Sequence, residues 1–127
     1  MLAARCGFPP KLRLRKRREF LVVQNRGRRL SGRHYRFFVY PRDDLGTSSL
    51  AGRVRFGITV TRKVGNAVTR NRIKRTLRDG CRRVAELFPP GLDVVIVAHS
   101  SAANAASGDA LRELTDLARR LGSGSLR

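Results

Sequence analysis

The residue types best placed to do chemistry in this 127-residue chain are cations, and they are concentrated. Between Arg62 and Arg83 stand nine Lys and Arg residues against a single acid, Asp79. Residues 11–36 hold eleven bases and one acid, whereas residues 91–127 balance at four and four. With 28 Lys and Arg against 9 Asp and Glu, the formal charge is +19, a field that makes a compact chain repel itself unless a polyanion neutralises part of it. Arg predominates, and its planar fork of donors grips phosphate bidentately and stacks on bases. The chemistry on offer is therefore phosphate binding.

Other chemistries find no support. The acids are scattered, and His34 and His99 are far apart, with no Cys/His spacing for zinc. No Gly-rich loop runs into Lys-Ser/Thr, so nucleotide hydrolysis has no support. Cys6 and Cys81 make no disulfide framework, which fits a reducing compartment. No apolar run approaches the roughly 18–20 residues that span a bilayer, so no membrane partner is expected. The N-terminus lacks the apolar core of a secretory signal and reads as a basic tail.

The length supports one domain, expected over 13–121, with flexible tails at 1–12 and 122–127. A helix is predicted from Arg15 to Asn25, with Phe20 either anchoring the core or offering a platform for a base. A basic turn, with a further short strand near 28–32, leads to an aromatic strand from Tyr35 to Tyr40 that Pro41 ends. Asp43 to Gly52 reads as a loop. Val54, Phe56, Ile58 and Val60 alternate with Arg53, Arg55, Gly57, Thr59 and Thr61, which predicts a strand with one face in the core and one open face.

The exit at Gly65-Asn66 is expected to use positive φ. From Ala67 to Phe88 the period turns helical, and Val68, Ile73, Leu77, Cys81, Val84 and Phe88 form the expected core stripe. Leu92 to Ala98 reads as an interior strand and 99–107 as a loop. Ser107 is expected to cap a last helix whose stripe is Ala110, Leu111, Leu114, Leu117, Ala118 and Leu121, closed by Gly122.

The run Lys63-x-Gly65-x-Ala67-Val68-x-Arg70-Asn71-Arg72-x-Lys74-Arg75-x-x-Arg78 resembles the signature of the protein subunit of bacterial ribonuclease P. The likeness extends to Arg13-Leu14, Phe20, Phe37 to Tyr40, Phe56 to Val60, Asp93 to Ala98 and the Leu-rich last helix. It implies an α+β fold of ribosomal-protein-like type: a two-layer α/β sandwich with a four-stranded mixed sheet, three helices and a left-handed βαβ crossover. General rules favour the opposite hand, so the crossover rests on the resemblance alone.

The resemblance also implies a ribonucleoprotein endonuclease, cytoplasmic, that removes the 5′ leader of precursor tRNA. Catalysis and its Mg²⁺ would belong to a catalytic RNA, with no catalytic residue, metal or cofactor in the protein and no protein partner required. Lys63, Arg70, Asn71, Arg72, Lys74, Arg75 and Arg78 match the motif that contacts that RNA. Phe20 and Tyr40 match aromatic positions of a cleft for the single-stranded leader, whose sheet wall would include Arg55, Gly57 and Thr59. Gln24 stands where the family commonly has a second aromatic, so a hydrogen bond is expected in place of stacking. The alternative from another class is a ribosomal or general structural RNA-binding protein using the same basic helix.

Overall fold

The computed structural model describes residues 14, 17–41, 54–89, 91–105 and 108–122. Helix α1 spans Arg17–Arg26, followed by β1 (Arg28–Ser31), β2 (Tyr35–Pro41), β3 (Arg55–Thr59), α2 (Ala67–Val84), β4 (Leu92–Ala98) and α3 (Asp109–Gly122). The four strands form one mixed sheet in the order β1-β2-β4-β3, antiparallel except for the β3–β4 pair. The expected tails, except Gly122, which ends α3, lie outside the described residues, as do the 43–52 loop and the Ser107 cap.

Register assigns every strand residue to a face. Tyr35, Phe37 and Val39 of β2 stand beside Ala98, Ile96 and Val94 of β4, and Val94 and Ile96 beside Phe56 and Ile58 of β3. This face packs on α2 and α3 through Ile73, Leu77, Cys81 and Val84 and through Ala110, Leu114, Leu117 and Leu121. Phe56 meets Phe88 edge-on at 5.2 Å between ring centroids. Leu77 and Leu114 have no exposed surface, and replacing either by Ala removes a side chain whose loss costs about 2–5 kcal/mol in such cores. Mid-helix Gly80 lets α3 approach, since a Cβ there would lie 2.9 Å from Leu114 Cδ1. Burial pushes the Cys81 thiol well above its ordinary 9.0, so it serves as a core residue, not a nucleophile.

The opposite face carries three rows of side chains across β2, β4 and β3: Tyr40–Asp93–Arg55, Phe38–Val95–Gly57 and Arg36–Val97–Thr59. Helix α1 lies on this face, with Val23 buried against Val95 and Leu14 and with Phe20, Phe38, Tyr40 and Val97 half-buried around them. The Leu14 N–H donates to the Phe56 carbonyl at 2.8 Å, binding the segment before α1 to β3.

Four expectations change. Val68 is 78% exposed: its five-residue step to Ile73 rotates it about 140° away from the stripe, whereas the later three- and four-residue steps stay on it. Helix α2 stops at Val84, continues as a 3₁₀ turn over Ala85–Leu87, and leaves Phe88 extended because Pro89 follows. Neither Gly65 nor Asn66 adopts a left-handed φ; Asn66 is extended and caps α2, its Oδ1 accepting the Thr69 N–H at 2.9 Å. Ser100–Asn104 forms a 3₁₀ turn where a loop was expected, pinned by buried Ala102.

Candidate functional site

Helix α2 positions the cations of the signature. Its apolar stripe is buried in the sheet, so the rest of its circumference must face outward. At about 100° per residue, Asn71, Lys74, Arg75 and Arg78 fall in one sector roughly 100° wide, with Arg70 at its edge nearest the sheet. Asn71, Arg75 and Arg78 are exposed, while Arg70 and Lys74 are half-buried. Among the described residues, no carboxylate lies within ion-pair reach of Lys74, Arg75 or Arg78. Their charge is available to an external anion.

The other signature cations are partly engaged. Arg70 Nε donates to the Gly65 carbonyl at 3.1 Å, which ties the start of α2 to the turn before it. Arg72 lies about 60° beyond Arg75 around the helix and donates from Nη2 to the Ala103 carbonyl at 3.1 Å. Arg82 and Arg83 converge on Asp79, the only acid of the helix, so the C-terminal end of the basic stretch is partly neutralised internally. Lys63 is exposed in the 3₁₀ turn Arg62–Val64 that links β3 to α2. The structure thus unites Arg70, Asn71, Lys74, Arg75 and Arg78, with Arg72 on the adjoining flank.

The expected cleft residues gather on the other face of the sheet, against α1. Phe20 packs over Gly57 so closely that a Cβ at position 57 would lie 2.5 Å from its Cε2 and 2.6 Å from its Cζ. Glycine here is a seat for the ring. The ring is anchored on the sheet and remains half-exposed. Gln24 follows one turn later, also half-buried, and Tyr40 sits half-buried in the first row.

Arg55 stands on the expected face of the sheet, but its charge is engaged there. Its Nε and Nη2 donate to Asp93 Oδ1 and Oδ2 at 2.9 and 2.8 Å, and Nη1 approaches Glu19 Oε2 at 3.4 Å. The guanidinium pKa rises, first through the bond to Asp93. Two carboxylates hold this cation, so it fastens α1 to the sheet. Sequence reading passed over Asp93 because it stands at the head of an apolar run. A carboxylate in a buried strand demands a cation beside it, and that demand was the available signal. Thr59 stays half-exposed in the third row, which Phe20 does not cover.

Among the described residues, no group of three or more His, Cys, Asp or Glu side chains is placed to hold a metal ion, and no helix is long and apolar enough to cross a membrane. The arrangement can bind, through a cationic helix flank on one side of β3 and a half-aromatic groove on the other.

The family model described as Ribonuclease P matches residues 8–122. The ribonuclease P protein component of Desulfovibrio desulfuricans is 44% identical over 116 residues, which cover 90% of this chain and 85% of that protein. That of Brucella melitensis is 40% identical over 107 residues, covering 82% and 75%. Among solved structures, the RNase P protein of Thermotoga maritima superposes with a TM-score of 0.72 at 28% identity, over 85% of this chain and 96% of that one. The Staphylococcus aureus RNase P protein shares the fold, with a TM-score of 0.73 at 22% identity. The three helices and four-stranded mixed sheet agree with these structures, and the alternative of a ribosomal protein gains no support. On the family match and the identity of these relatives, the chain belongs to the bacterial ribonuclease P protein family.

Proposed function

We propose that the chain is the protein half of a ribonucleoprotein that removes the 5′ leader from precursor tRNA in the cytoplasm. Helix α2 binds the catalytic RNA through Arg70, Asn71, Lys74, Arg75 and Arg78, supplemented by Lys63 and Arg72. The groove between α1 and the sheet receives the single-stranded leader, with Phe20 and Tyr40 against bases and Gln24 and Thr59 offering hydrogen bonds.

Bond cleavage and the Mg²⁺ that supports it belong to the RNA partner. This chain contributes affinity and position: its cations offset phosphate repulsion between the RNA and its substrate, and the groove adds contacts that only a leader-bearing tRNA can make. Such differential contacts raise the affinity for precursor over product. The single observation that carries the reading is the set of cations on one flank of α2 that meet no carboxylate among the described residues, a surface whose mutual repulsion an RNA backbone relieves.

The test is reconstitution with the catalytic RNA of the same source. The protein should lower the Mg²⁺ concentration needed for cleavage and tighten binding of precursor relative to mature tRNA. Absence of both effects would remove this reading, and cleavage by the RNA-free protein would replace it with a protein-only nuclease.

A further inference from the structure

On the groove face, Arg36, Val97 and Thr59 form one row across β2, β4 and β3, two residues along each strand from the row on which Phe20 sits. Two strand spacings separate Arg36 from Thr59, about 10 Å, so the row is a short shelf beside the aromatic ring. Arg36 and Thr59 are both half-buried.

Of the two arginines in the rows that β2, β4 and β3 share, Arg36 is the one that meets no carboxylate among the described residues. Arg55, the cation of the first row, is held by Asp93 and Glu19. Arg36 makes no hydrogen bond or ion pair among the described residues, and its Nε is buried without a partner. A guanidinium N–H withdrawn from water and given no acceptor raises the free energy of the unliganded protein. With no carboxylate beside it among the described residues, the guanidinium can take an anionic oxygen laid on the shelf at its terminal nitrogens, and the fork of Arg suits a phosphodiester.

We infer that Arg36 is a phosphate-binding residue for the single-stranded leader, holding its backbone on the shelf beside Phe20. The inference rests on the proposed function, since it takes the groove to be the leader site, and it adds the cation that Arg55 does not supply. A phosphate contact carries no base information, so Arg36 strengthens binding of any leader sequence alike.

The experiment uses the full-length protein reconstituted with its catalytic RNA, comparing wild type, Arg36→Gln and Arg36→Lys. Arg36→Gln should weaken binding of leader-bearing tRNA about tenfold, the scale of one charge-assisted hydrogen bond. The loss should be equal for leaders of different sequence and absent for mature tRNA. Arg36→Lys, which keeps the charge, should recover part of it. The log–log salt slope for precursor binding should become shallower by about 0.7, as for one single-strand phosphate.

Circular dichroism and the melting temperature report on folding separately. Arg36→Gln should melt close to the wild-type temperature, because its amide takes the place of the buried Nε with polar atoms of its own. Unchanged precursor preference in Arg36→Gln overturns the assignment while leaving the proposed function intact. An equal loss for mature tRNA, or a loss of affinity for the catalytic RNA, also overturns it. If wild type itself shows no preference for the leader, the proposed function fails and the assignment falls with it.

Discussion

Arg55 clasps Asp93 through two parallel hydrogen bonds, of 2.9 and 2.8 Å, across neighbouring parallel strands. Asp93 is only 5% exposed, so the pair fixes the β3–β4 register at the end of the sheet where α1 begins, and Glu19 brings α1 into the same cluster. The groove is therefore built on an internal ion cluster at one end and left cationic at the other, where Arg36 stands.

Removing Arg55 leaves a desolvated carboxylate behind. Arg55→Met should destabilise the fold by about 2–3 kcal/mol, less than the 3–5 kcal/mol of a fully buried pair because the Arg55 side chain keeps 27% of its accessibility. Combining it with Asp93→Leu should restore most of that loss. Urea denaturation of the two variants measures the difference, and an undiminished loss in the double variant would show that the pair is not the cause.

Gly57 is the seat of Phe20, and one methyl group tests it. In Gly57→Ala the ring must leave its position, since 2.5 Å is below any real carbon contact. The half-exposed ring can swing outward, so the fold should survive with a melting temperature a few degrees lower, the shift that about 1 kcal/mol produces in a domain of this size. Preference for precursor over mature tRNA should drop several-fold. Equal losses in Gly57→Ala for both tRNAs would detach Phe20 from leader binding.

Tyr35 gives the fold an alkaline limit. Burial, then the charges of Glu113 and Asp109, push its phenol from 10.0 up to about 12. Between those pH values the unfolded chain releases a proton that the folded chain retains. This contribution to stability is therefore complete below about pH 10 and is lost as pH rises towards about 12. Chemical denaturation from pH 9 to 11.5 should show stability falling, and Tyr35→Phe should flatten the fall. A variant with the same slope as wild type would assign the loss to other groups.

What could be read from the chain beforehand follows the range of each interaction. Ile73, Leu77, Cys81 and Val84 announce α2 because a 3.6-residue period is local, and Phe56 in its alternating run announces β3 for the same reason. Val68 was misplaced by treating a five-residue step as part of that period. The pair of Arg55 with Asp93 was hidden because its members are 38 residues apart and meet only through strand register. Arg36 was likewise one base among many until register put it in one row with Thr59. Resemblance supplied the signature residues directly; it could not show that Arg82 and Arg83 share Asp79.

Arg78 lets function and stability be separated by sign. It lies one helical turn from Lys74, Arg75 and Arg82, and among the described residues nothing acidic pairs with it. Each such like-charge pair destabilises a helix by about 0.2–0.5 kcal/mol. Arg78→Gln, which preserves helix propensity, should therefore raise stability by roughly half a kcal/mol at low salt, an effect that fades as salt screens the pairs. The same change should weaken binding to the catalytic RNA and make its salt dependence shallower by close to one phosphate contact. A structural residue would lose stability and binding together. Opposite signs in denaturation and RNA titration mark a cation kept on the helix for its partner, and a fall in both would return Arg78 to a purely structural role.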